Sequence, residues 1–168
     1  MLFCIIITLA AIVLDQLSKY LAITYLEPIG SVPIINKVLS FTYVENKGAA
    51  FGMLADHRWV FMTVSAIVIV AIFVFVAKYK PQSTLMKLSL GMIAGGGIGN
   101  MIDRVARGYV VDFIDVTCIK FYVFNIADSF VCVGCGLMVL SLILDEIDEI
   151  KDRKAKKAAL NENGQDGN

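Results

Sequence analysis

The stretch "WVFMTVSAIVIVAIFVFVA", residues 59–77, decides the fold. It runs for 19 residues without a charged side chain. About 20 apolar residues in a helix cross the hydrocarbon core of a bilayer. A helix on the surface of a soluble domain would show a polar stripe to water, and this stretch has none. It is read as a membrane span.

Working outward, three more apolar blocks appear. "LFCIIITLAAIVL", 2–14, continues past Asp15 and Lys19 to Leu26. "LSLGMIAGGGIGNMI", 88–102, extends backwards through Leu85. "FYVFNIADSFVCVGCGLMVLSLIL", 121–144, is broken only by Asp128. Spans are expected at about 2–26, 59–77, 85–104 and 121–144, an all-α membrane bundle of four transmembrane helices. Residues 1–145 form one membrane-embedded domain, and 146–168 a charged, partly disordered tail. Composition agrees: 58% of residues are hydrophobic and 18% charged, against roughly 45–50% and 25% in soluble domains. The first block lacks the basic start and small-residue cleavage site of a secretion signal, so it is read as a retained span.

Several function classes fall away. A net charge of zero offers no electrostatic case for a nucleic-acid partner. One histidine, His57, argues against a histidine-based metal site. Cys4, Cys118, Cys132 and Cys135 form no disulfide framework. The "CVGC" at 132–135 lies inside an apolar span, where small packing residues explain it better than metal or redox chemistry. No cofactor and no obligate protein partner are implied.

Four spans put both termini on one face and the 27–58 and 103–120 connections on the other. Eight Lys and Arg residues lie with the termini and seven on the opposite face. That count leans only slightly toward cytoplasmic termini. Within "KVLSFTYVEN", 37–46, Leu39, Phe41 and Tyr43 alternate with polar residues, as in a strand. Asn36–Lys37 and Asn46–Lys47–Gly48 read as turns. A small sheet is expected on that opposite face, with "KFYVF", 120–124, as a further candidate strand. Gly91, Gly95 and Gly99 recur every four residues, a stripe that lets another helix approach closely.

The polar residues within the apolar segments converge. Asp15 and Lys19 lie four apart near the end of the first span, in the favourable helical order. Asn100, Asp103 and Arg104 end the third span, with Asn100 and Asp103 on one face. Asn125 and Asp128 stand three apart at the start of the fourth. Glu45, Asn46, Asp112 and Asp115 lie in connections on the same side. Topology alone brings these groups to one depth. Asp128 falls about four to seven residues into its block, roughly 6–10 Å deep. An ionisable group there needs a partner or a wet cavity and marks a functional site. Asp15–Lys19 reads equally as a structural ion pair or as part of that site, and Asp103–Arg104 as a helix-end ion pair.

Carboxylates facing one cavity share a proton, since both cannot ionise easily. The ionised member can take a proton from water while the other hydrogen-bonds the carbonyl under attack. That is aspartic-protease chemistry. A proton-coupled transporter would instead thread its carboxylates through the bilayer, and an assembly module leaves the density of polar residues unexplained.

Five segments in order, "LDQLSKY" at 14–20, "ENKGAAFG" at 45–52, "GNMIDR" at 99–104, "VVDFID" at 110–115 and "FNIADS" at 124–129, resemble the lipoprotein signal peptidases. These signal peptidases II are aspartic peptidases of the bacterial inner membrane. The resemblance covers about residues 10–145. It implies four spans with a small β-cradle, cytoplasmic termini, and an active site at the extracytoplasmic face. It selects Asp112 and Asp128 as the catalytic pair, with Asp15, Lys19, Asn46, Gly48, Asn100, Asp103, Arg104 and Asn125 in support, and leaves Asp115 as a loop or shell residue. The implied substrates are lipid-modified prolipoproteins, cleaved before the diacylglyceryl cysteine among membrane lipids, without a metal. Ser18 stands where the family commonly has Thr. Glu45 stands where Arg is frequent, a reversed charge near the entrance.

Overall fold

The computed structural model describes residues 1–48, 58–119 and 121–165. Among them, four helices are long and apolar enough to cross a membrane. Helix α1 spans Leu2–Leu21 and runs on through a π-helical turn, Ala22–Leu26. Helices α2, α3 and α4 span Arg58–Tyr79, Thr84–Ala106 and Ile126–Gln165. Strands β1 (Ser31–Ile35), β2 (Leu39–Asn46) and β3 (Val110–Asp115) form an antiparallel sheet in the order β1-β2-β3.

Helix α3 is the axis of the bundle. Its glycines explain how the neighbours come so close. A Cβ at Gly91 would lie 2.8 Å from the Ile7 side chain, and one at Gly95 would lie 2.5 Å from that of Ala11. A Cβ at Gly99 would meet the Asp15 carboxylate. The every-fourth-residue stripe is thus the seat of α1, which presents Cys4, Thr8, Ala11 and Asp15 to it. Gly96 turns to the other side, where a Cβ would run into the Ala127 carbonyl of α4. Close approach matters here because lipid is as apolar as leucine, so packing must supply the attraction between spans. Outward-facing Leu9, Val13, Leu17, Val64, Ile67 and Val74 are exposed, as residues against lipid would be.

The hairpin of β1 and β2 falls where alternation and the Asn36–Lys37 turn place it, with Lys37 in the left-handed region. The sheet's third strand does not follow from alternation. "VVDFID" is β3, with Val110, Val111, Asp112 and Phe113 all buried. A strand covered on both faces loses the alternation that would reveal it.

The fourth helix corrects its expected start. It begins at Ile126, not near 121. Phe124 is extended instead and exchanges backbone hydrogen bonds with Ile114, at 2.7 and 3.0 Å. Hydropathy is blind to this difference. Of the candidate strand 120–124, only Phe124 bridges to the sheet, and Lys120 lies outside the described residues. Asp128 therefore sits in the first turn of α4, not several residues inside a helix. Helix α4 extends through the charged tail to Gln165. Its helix-forming composition and the Asp148–Lys151 and Glu149–Arg153 pairs account for that. Residues 166–168 lie outside the described part.

Gly95→Val and Gly96→Val should each lower the melting temperature in detergent, by an equivalent of roughly 1–3 kcal/mol of overpacking. Gly136→Ala should leave it unchanged, because a Cβ there meets nothing within 4 Å. Equal melting temperatures for all three would refute the packing role of the stripe.

Candidate active site

The chain N-terminal to α4 builds half the site. Asn125 is the N-cap of that helix. Its side-chain oxygen accepts the Asp128 backbone N–H at 2.9 Å, and the Asp128 carboxylate accepts the Asn125 backbone N–H at 3.1 Å. This reciprocal pair is a capping box. A third free N–H of the helix start, on Ala127, goes to Asp15 Oδ1 of α1 at 3.0 Å. A helix terminus inside a bundle must find such partners.

The Asn125 amide then reaches outward. One N–H goes to Asp112 Oδ1 at 2.6 Å and the other to Asn100 Oδ1 at 3.0 Å. Asn100 Oδ1 also accepts from Lys19 Nζ at 2.8 Å, which fills both its lone pairs. That leaves its amide nitrogen to grip Asp128 Oδ1 at 2.8 Å. Asp112 is held from the other side by Asn46, its diagonal neighbour on β2, at 2.8 Å. Gly48 N–H binds Asn46 Oδ1 at 3.0 Å, so the amide nitrogen must face Asp112. Three asparagines thus fix the orientation of two carboxylates.

Burial sets the charge of the pair. Asp112 is 2% exposed. Desolvation pushes its carboxyl up to about 7; the Asn46 amide opposes this, the negative charge of Asp128 adds to it, and the Asn125 amide and Lys19 oppose it. Its titration therefore falls near neutral pH.

Beneath lies a second cluster. Lys19, Asp15 and Asp103 are fully buried. The Lys19 ammonium bridges the two carboxylates at 2.9 and 3.1 Å. Asp103 also pairs with Arg107 at 2.7 Å and accepts the Val111 N–H of β3 at 3.1 Å. Asp103 and Arg104 do not form the expected ion pair. Adjacent helix residues point about 100° apart, so Asp103 meets Arg107 one turn on. Arg104 instead donates to the Asn100 carbonyl and lies 5.4 Å from the Phe61 ring of α2.

All ten expected residues that bear on the site fall in this connected group. Asp115 lies apart, accepting from Thr42 at 3.1 Å. Glu45 is exposed. The rest of its motif, 49–52, lies outside the described residues. Two participants were missed. Gln16 donates to Asp15, the Gly99 carbonyl and Asp103 at 3.1–3.3 Å, and Arg107 closes the charge balance. Helical spacing carried both signals: Gln16 is three residues before Lys19, and Arg107 four after Asp103. A cavity of about 460 Å³ lined by Leu21, Ala22, Tyr25 and Phe113 is a separate feature, on the β3 face opposite Asp112.

Residues 7–144 match the family model described as signal peptidase (SPase) II. The chain belongs to the signal peptidase II family. The lipoprotein signal peptidase of Halalkalibacterium halodurans is 41% identical over 154 residues, 90% of this chain and 95% of that one. That of Caldanaerobacter subterraneus is 49% identical over 136 residues, 80% of this chain and 91% of that one. A solved bacterial membrane enzyme shares 34% identity and superposes with a TM-score of 0.78, over 85% of this chain and 88% of its own. Signal peptidase II membership and the four spanning helices make this a multi-pass bacterial membrane protein.

Lys19→Met should leave two buried carboxylates without their shared cation. A loss of about 3–5 kcal/mol is expected, read as a fall in melting temperature in detergent. Lys151→Met, which breaks an exposed pair, should move it little. Equal behaviour of the two variants would show that the buried cluster contributes no stability.

Proposed function

We propose that this chain removes signal peptides from prolipoproteins, cutting before the diacylglyceryl-modified cysteine with Asp112 and Asp128 as catalytic pair. Family membership supports the peptidase activity and its substrate class. The observation that carries the catalytic assignment is Asn125. One side chain and its own backbone N–H touch both carboxylates, so the pair is set as a unit.

In the proposed reaction Asp112 holds the proton that the pair shares. Asp128 takes a proton from water, and the resulting hydroxide attacks the scissile carbonyl. The carbonyl oxygen receives the Asp112 proton, giving a neutral gem-diol. Asp128 returns its proton to the amide nitrogen as the C–N bond breaks, and Asp112 recovers one from the collapsing diol. The products are the signal peptide's carboxyl end and the amine of the lipidated cysteine. No metal takes part. Asn46, Asn100 and Asn125 orient the carboxylates, and Gly48 orients Asn46. Asp15, Lys19 and Asp103 hold the three elements in place, with Arg104 alongside.

We place both termini in the cytoplasm and the pair at the extracytoplasmic face of the cell membrane. The substrate's acyl chains then stay in the bilayer while its scissile bond reaches the carboxylates, and the membrane supplies part of the positioning. A proton transporter would need ionisable groups along the bilayer's depth; the buried carboxylates described here gather at one end.

The test is cleavage of a synthetic diacylglyceryl-cysteine prolipopeptide by purified protein in detergent, with EDTA present and an unlipidated peptide as control. Lipid-dependent cleavage is expected, and Asp112→Asn and Asp128→Asn should each abolish it while remaining folded. Wild-type rates in either variant would remove that residue from the mechanism.

The pH profile provides a separate check. Asp112 faces Asp128 from α4, Lys19 from α1 and Arg104 from α3. As pH rises through about 7 its carboxyl loses the required proton. kcat/KM should therefore fall on the alkaline side, about tenfold per pH unit. A profile flat to pH 9 would contradict the assignment of that proton.

A further inference from the structure

At the opposite end of the bundle, the chain makes a second polar site. Helix α2 ends at Tyr79 and α3 begins at Thr84. Between them Lys80 adopts a φ of 45°, in the left-handed region that few residues other than glycine enter. Its N–H still bonds the Val76 carbonyl at 3.2 Å, and its own carbonyl accepts from Gln82 Nε2 at 3.0 Å. The connection thereby folds back over the ends of the helices. Beneath it is a cavity of about 250 Å³, lined by Met1, Val76, Ala77, Lys80, Pro81, Gln82 and Lys87.

The lining divides by chemistry. Val76 and Ala77 belong to the last turn of a membrane span and form an apolar floor, with Met1 also in the lining. Lys80, Gln82 and Lys87 form the rim. The two lysines come from different elements, the connection and the first turn of α3. Neither is in an ion pair among the described residues, and no acidic side chain among them lines the cavity. Two uncompensated ammonium groups above an apolar floor, at the depth where a span meets water, match one class of ligand.

We propose that this cavity binds an anionic glycerophospholipid, with its phosphate between Lys80 and Lys87 and its glycerol and upper acyl chain against Val76, Ala77 and Met1. Lysine binds phosphate as a point charge, and basic residues at a bilayer surface draw anionic headgroups. Free phosphate would use the rim and leave the floor unfilled. A choline lipid brings its own cation against the lysines. Such a lipid would tie the start of α1, the end of α2 and the start of α3 together, on the face away from Asp112 and Asp128. The inference does not depend on the peptidase chemistry.

The test uses the full chain in detergent, incubated with phosphatidylglycerol or phosphatidylcholine and examined by native mass spectrometry and thermal unfolding. Retention of phosphatidylglycerol over phosphatidylcholine by roughly thirtyfold is expected from two surface lysines, together with a higher melting temperature. In Lys80→Gln/Lys87→Gln both effects should vanish, while the melting temperature without lipid and the prolipopeptide cleavage rate stay at wild-type levels. Undiminished preference in the double variant would overturn the proposal. So would an equal stabilisation by inorganic phosphate, which would mark a free-anion site.

Discussion

The structure turns on one buried cation. Lys19 sits without solvent between Asp15 of its own helix and Asp103 of α3. Removing three charges from water costs several kcal/mol each, and only good geometry with further hydrogen bonds offsets it. Here every group has such bonds. Asp15 caps the start of α4, and Asp103 holds the first half of β3 and takes a second cation, Arg107. The Lys19 ammonium spends its remaining bond on Asn100. Through that contact a structural ion cluster sets which way an asparagine faces, and so where Asp128 is held.

Packing and polarity are not separate designs in this chain. The same stripe of α3 that admits the apolar start of α1 at Gly91 and Gly95 admits the Asp15 carboxylate at Gly99. Gly96 meanwhile brings in the Ala127 backbone of α4. A side chain at either Gly96 or Gly99 would push apart the elements that bring Asp15 to the α4 terminus. Close helix contact, which in lipid must rest on fit and not on exclusion of water, is therefore a condition for the polar site.

Asp128 occupies a helix start, where backbone groups lack partners of their own, and Asp112 lies within β3 opposite Val44. Asp128 and Asn125 satisfy each other and the helix start. Asp112 lies on an edge strand whose neighbours are Asn46 on one side and Asn125 on the other. Donors surround each carboxylate, yet burial keeps the Asp112 carboxyl near neutral pH in its titration.

Much of this was legible in the chain. Runs of 19 or more apolar residues give spans, because a helix must hide its backbone from lipid. Four spans then force the polar residues to one face. The motifs marked Asp112 and Asp128, and four-residue spacing marked the glycine stripe and the Asp15–Lys19 pair. Other features required the folded molecule. Hydropathy could not separate Phe121–Phe124, which precede α4, from the helix itself, because an apolar run scores alike in any conformation. Strand β3 hid for the same reason. Spacing suggested a partner for Asp103, but neighbouring residues on a helix diverge, so its real partners were Lys19, 84 residues earlier, and Arg107. The apolar pattern determined that the chain crosses the membrane and which end carries the carboxylates. Tertiary contact decided which asparagine grips which oxygen, since hydrogen bonds reach about 3 Å and sequence distance carries no information at that scale.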